Sequence, residues 1–140
     1  MTPGTETQDQ LQTPVIEPPL KEMRRVLVFT LAGRTRCAPV DEVREIVPIA
    51  PLTRLPGAPR HVRGLINLRG SLVTVIDASL CLYGVPADNN PDASILLVER
   101  KERVAGVMVD SVFDIQSLPA EDVEGSALLD LRAMVDQALA

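Results

Sequence analysis

The chain has 140 residues, a formal net charge of −5 and 46% hydrophobic residues. That is the size of one domain, and the acidic balance argues against a general nucleic-acid binder, which needs a basic footprint. Only three aromatic residues are present, Phe29, Tyr83 and Phe113, so the core must be aliphatic and base-stacking platforms are hard to build.

Residues 1–24 form a Thr/Gln/Pro-rich stretch with Pro3, Pro14, Pro18 and Pro19. Few of its groups can pack, which predicts a flexible arm ahead of a domain over 25–140. The first residues lack the basic and apolar regions of a signal peptide. No run reaches the ~18 apolar residues of a membrane span. The expectation is a cytoplasmic protein without direct membrane insertion.

Val26 to Leu31 is a β-rich apolar run closed by Ala32-Gly33, and Arg34 to Ala38 returns as its hairpin partner. From Pro39 to Val47 the apolar residues Val40, Val43 and Ile46/Val47 fall three to four apart, which predicts a short helical turn ended by Pro48. Pro51, Pro56, Gly57 and Pro59 make the following stretch a rigid loop. Leu65 to Leu68 and Leu72 to Asp77 read as a hairpin around Arg69-Gly70-Ser71. Ile95 to Val98 and Val104 to Val109 read as a second hairpin. Leu128, Leu131, Met134/Val135 and Leu139 have helical spacing. Short strands with turn signals between them indicate an all-β barrel or sandwich.

Charge is segregated. From Ile46 to Ile76 there is no acid, but Arg54, Arg60, Arg63 and Arg69 all occur; from Asp110 to Ala140 there are seven acids and only Arg132. Such asymmetry fits a solvated surface or a protein-binding one. Catalytic patterns are missing: no Gly-rich phosphate loop, no G-x-S-x-G elbow and no close His/Cys pair. Cys37 and Cys81 make no disulfide framework and read as buried free thiols. With His61 as the only histidine, no metal site or cofactor is expected.

The run from Pro59 to Asp77 is more specific. Pro59, Gly64, Asn67, Arg69, Gly70 and Asp77 match a signature in which a Gly precedes an apolar strand, Asn-x-Arg-Gly makes the turn and a second apolar strand ends in Asp. This closely resembles the CheW-like family, the coupling proteins of bacterial chemotaxis-type signalling. Val28 to Gly33 resembles the family's first strand. Val40 to Ile46 resembles its Val-x-Glu-Ile turn, and Val104 to Val112 its Val-x-Gly-x-x-Val-Asp strand.

The resemblance implies two small SH3-like β-barrels sharing an aliphatic core. It also implies no catalysis. The implied partners are a chemoreceptor (methyl-accepting chemotaxis protein) cytoplasmic tip, a CheA-like histidine kinase and other CheW-like proteins. It places receptor contacts at Val43, Glu45, Ile46, Arg69 and Ile95, and structural signature positions at Gly64, Asn67, Gly70 and Asp77. Two readings stand for Arg69: a charge-assisted bond to the receptor helix, or an internal ion pair with Asp77. The chain departs from the pattern after Glu124, where Gly125-Ser126 leads almost at once to Leu128-Leu129-Asp130. A loop and about one to two strands of ~5–6 residues are missing there. The second barrel is therefore expected to be incomplete, followed by a C-terminal helix. That predicts an adaptor with its receptor groove kept and its kinase contact weakened or lost. The alternatives are an ordinary coupling protein and, in another class, a small β-barrel enzyme or ligand-binding module.

Overall fold

The computed structural model describes residues 22–87, 90–123 and 127–139. The strands are β1 (Met23–Leu31), β2 (Arg34–Pro39), β3 (Glu45–Pro48), β4 (Val62–Leu68), β5 (Ser71–Asp77), β6 (Ser94–Arg100), β7 (Arg103–Val109) and β8 (Ser111–Pro119). The helices are α1 (Ala78–Tyr83), α2 (Ala120–Val123) and α3 (Leu131–Ala138). One sheet has the order β2-β1-β8 and the other β3-β6-β7-β5-β4. The architecture is mostly β with a C-terminal helix. The incomplete barrel is the three-stranded sheet, which takes the first two strands and the last. Residues 1–21 of the expected arm lie outside the described residues, and β1 begins at Met23, two residues inside that arm.

The hairpins form where the turn chemistry asks for them. Arg69 and Gly70 have φ of 50° and 86°, and Leu68 pairs with Ser71. This is a two-residue loop with both residues in the left-handed region, a turn whose twist matches the right-handed twist of the flanking strands. Asn67 Oδ1 accepts the Gly70 N–H at 3.0 Å and fixes the turn. At Gly64 (φ 147°) an added Cβ would lie 2.5 Å from the Thr53 carbonyl oxygen. The proline-rich loop crosses there, exchanging two 2.8 Å backbone bonds between Thr53 and Leu65.

Two aliphatic cores lie on the two faces of β6 and β7. Ile95 and Leu97 point into the curl of the five-stranded sheet with Val47, Ile66, Val75 and Met108. Leu96 and Val98 point the other way, toward Leu27, Phe29 and Leu31 of β1 and toward Leu131 and Val135 of α3. A strand buried on both faces reads as an unbroken apolar run. At Gly106 a Cβ would stand 2.6 Å from Ile95 Cγ2, so β7 has no room for a side chain there.

Several expectations need correction. Only Val40–Glu42 is helical, as a 3₁₀ turn. Ile46 and Val47 belong to β3, paired with Leu96 and Ile95 of β6; strand pairing outweighs the weak three-to-four spacing. Helix α1 was not expected. It is capped by Asp77, whose Oδ1 accepts the Leu80 N–H at 3.2 Å, and it ends at Gly84 with φ 70°. Strand β8 was not read from the sequence either. Cys37 is buried but Cys81 is exposed, so the expectation of two buried thiols holds only for the first. The Cys81 thiol is nevertheless pushed up, first by packing around it and then by the Asp77 carboxylate.

Candidate functional site: the rim of the five-stranded sheet

β3 is an edge strand, and the β4–β5 turn sits at the opposite edge of the same sheet. The sheet curls until these two parts meet. Arg69 Nη2 donates to Glu45 Oε1 at 2.5 Å and Nη1 to Oε2 at 3.3 Å. The bidentate pair closes the mouth of the curl, over a concavity of about 230 Å³ whose walls include Leu68, Val73, Leu97 and Val104. Both side chains remain reachable, with 66% of Arg69 and 37% of Glu45 exposed. The bond to Glu45, then its negative charge, raises the Arg69 pKa. The guanidinium stays charged and still has free donors.

Alternation along β3 puts the neighbouring side chain on the other face. Ile46 is 39% exposed there. Val43, two residues before the strand, is half-buried against the core shared with β1 and α3. The structure therefore splits the predicted receptor set across β3: Glu45 with Arg69 on one side, Ile46 on the other, and Val43 ahead of the strand, half-buried.

Ile95 does not join them. It is fully buried and packs inside the curl, so the expectation of a contact across the groove is corrected: its side chain supports the surface from beneath. Arg69 and Asp77 stand at opposite ends of β5 and form no pair. Asp77 is completely buried and takes three other partners: the Leu80 N–H, the Ala87 N–H at 2.9 Å and Arg63 Nη1 at 3.4 Å. Gly64, Asn67, Gly70 and Asp77 all serve the backbone around the β4–β5 hairpin.

Sequence reasoning missed how the C-terminal helix is tied to this region. Glu42 Oε1 accepts the Leu131 N–H at 2.9 Å, and Arg132 Nη2 donates to the Asp41 carbonyl at 3.0 Å. The 3₁₀ turn just before β3 thus clamps the N-terminus of α3. At the other end His61 Nε2 lies 2.6 Å from the Ala138 carbonyl oxygen. Nothing in the sequence pairs residues so far apart, although acids at a helix-starting turn are a general signal for bonds to N–H groups.

The acid-free stretch lines a groove of about 870 Å³ with Arg54, Arg60 and Arg63 on its walls over Ile49, Leu52 and Met108. Arg63 is engaged by Asp77. Among the described residues no three His, Cys, Asp or Glu side chains converge as a metal site would require. No described helix is long and apolar enough to cross a membrane.

The model of the CheW-like domain family matches residues 25–137. The chain is similar to a chemotaxis protein CheW of Rhizobium meliloti, with 34% identity over 101 residues, covering 72% of this chain and 65% of that protein. It is also similar to the protein PilI of Pseudomonas aeruginosa, at 33% identity over 66% of this chain and 52% of the relative. Among solved structures, the scaffolding protein TtCheW from Thermoanaerobacter tengcongensis superposes with a TM-score of 0.65 at 29% identity, covering 71% of this chain and 68% of that one. The chain thus spans about 65% of the length of the rhizobial relative it matches. The matched span, the shared two-sheet architecture and the hairpin signature lead to one conclusion: this chain belongs to the family of CheW-like domains.

Proposed function

We propose that the chain is a non-catalytic adaptor of chemotaxis-type signalling, acting in the cytoplasm, that docks on the cytoplasmic tip of a chemoreceptor. The observation that carries this reading is the rim at β3. An exposed bidentate ion pair, Glu45–Arg69, and the exposed Ile46 flank one edge strand. A receptor tip is a helical hairpin with an apolar stripe and polar flanks. Ile46 offers apolar contact to the stripe, and the remaining Arg69 donors offer charge-assisted bonds to the flanks. Membership of a family whose relatives are named as chemotaxis and scaffolding proteins supports the same reading.

The finer part of the proposal concerns the kinase. The three-stranded sheet ends at β8, and the stretch between Pro119 and Leu131 carries only α2 and a single bridge residue among its described residues. Contacts that the family makes with a CheA-like kinase from this half of the domain lack their scaffold here. The chain would then occupy receptor tips and dilute full coupling proteins in an array. Titrations of the purified protein against a receptor tip and against the kinase regulatory domain test both parts. Receptor binding without kinase binding is expected. Kinase binding as tight as that of a complete family member would favour an ordinary coupling protein, and no binding to the receptor tip would overturn the adaptor reading.

A further inference from the structure

The three-stranded sheet treats its two edges differently. Along β2 the edge is covered: the Cys37 N–H donates to the Ala127 carbonyl at 2.9 Å and the Leu129 N–H to the Cys37 carbonyl at 2.8 Å. Along β8 no backbone bond reaches the outer side among the described residues. The Ala120 N–H donates to the Glu22 carbonyl at 2.8 Å, which fixes the alternation of the β1–β8 ladder. Residues 114, 116 and 118 turn their backbone groups to β1, while Ile115 and Ser117 turn theirs outward. The outward Ile115 N–H is met by the carboxylate next to it, Asp114 Oδ1, at 2.8 Å. Ile115 shares its face with the buried Leu27 opposite, yet it is 41% exposed, and Phe113 at the bulge is 63% exposed. Among the described residues no strand lies beyond β8 to cover these two apolar side chains.

We infer that β8 pairs with β8 of a second copy of this chain, antiparallel and about a two-fold axis centred on Ile115. The strand's own sequence selects that occupant and register. With Ile115 facing Ile115, Asp114 meets Gln116 on both sides of the axis, a carboxylate against an amide donor, and Ser117 falls opposite the bulge at Phe113. Centring on Asp114 would oppose two carboxylates. Centring on Gln116 would set the Asp114 carboxylate against the apolar Leu118 on both sides of the axis. The contact is isologous and closes at two copies. It transfers the Ile115 N–H from the Asp114 carboxylate to a carbonyl of the second copy, and it buries Ile115 and Phe113.

The test is sedimentation of the full chain from micromolar to millimolar concentration, with two variants. Ser117→Pro removes an outward donor without touching a bond to β1. Ile115→Glu sets two carboxylates face to face across the axis. A dimer is expected, with its dissociation constant raised at least about tenfold by each variant, while the circular dichroism spectrum and melting temperature of the isolated chain stay unchanged. If Ser117→Pro fails to fold, Ile115→Glu decides alone. A monomer at all concentrations, a dimer indifferent to the folded variants, a larger oligomer, or a monomer whose β8 takes up only a strand of another protein would each overturn the inference.

Discussion

The carboxylate of Glu42 receives the N–H of Leu131 at 2.9 Å, across 89 residues of chain. It joins the turn that precedes the candidate receptor strand to the first turn of the C-terminal helix. Burial pushes the Glu42 pKa above its ordinary 4.5, against the opposing pull of the Leu131 N–H. A raised carboxyl binds its proton more tightly in the folded state. Its contribution to stability is therefore complete below the ordinary value and is lost as pH rises through the raised one. Glu42→Gln keeps an acceptor but does not titrate. Relative to wild type the variant should gain stability as pH rises above the ordinary carboxylate value, measured by denaturant unfolding at several pH values.

Asp136 should behave in the opposite way. Arg100 holds it with bonds of 2.6, 3.0 and 3.2 Å and lowers its pKa below the ordinary 3.8. Its contribution is present above that value and is lost as pH falls through the lowered one. The stability deficit of Asp136→Asn should accordingly shrink on acidification, in the same unfolding experiment.

Arg69→Ala should leave the fold intact and weaken receptor-tip binding. The pair with Glu45 is exposed, and exposed ion pairs contribute little to stability. Ile46→Arg should act likewise through lost apolar contact. Val43→Arg is a poorer probe, because Val43 packs on the main core and a buried guanidinium would unfold its surroundings. Circular dichroism beside a binding titration separates the two kinds of effect.

Asp77→Ala should cost about 2–3 kcal/mol, since it strips a buried carboxylate from two N–H groups and from Arg63. Asp77→Asn should cost less, because the amide oxygen can still cap α1. Denaturant melts of both variants give the comparison.

Gly106→Ala should destabilise the domain by about 1–3 kcal/mol. The new methyl would meet Ile95 Cγ2 at 2.6 Å and Val75 Cγ2 at 3.2 Å. Ile95→Leu alongside it, which lacks the Cβ-branch methyl, should recover part of the loss if that crowding is the cause.

The parts of the fold legible in the sequence were those written in local chemistry. Arg69-Gly70 and Ala32-Gly33 announce two-residue turns, and each pair takes positive φ in the structure. The β6 run is apolar throughout because both of its faces are covered. What could not be read depends on distant partners. Ile46 and Val47 have helix-like spacing but take strand geometry from β6, whose sequence lies far downstream. β8 has an exposed middle of mixed polar and apolar residues, Phe113 to Ser117, and shows no clean alternation, with only β1 flanking it.

The candidate site was legible as a set of residue types but not as a geometry. Arg69 and Asp77 stand out together in the sequence signature, yet β5 separates them and each finds a different partner, Glu45 and Arg63. Ile95 matches by position but lies inside the curl. No local rule tells which face of a doubly buried strand a given residue serves.

Because Ile95 and Leu97 serve one core while Leu96 and Val98 serve the other, β6 is a party wall between two rooms. Neither room can be emptied while the other stays furnished, since freeing one face of the strand disturbs the backbone that holds the other. Amide exchange should therefore show β6 and β7 opening only with the whole molecule, as one cooperative unit. Exchange through smaller openings should be seen in α3, which borders a single core, and in β8, whose middle is exposed.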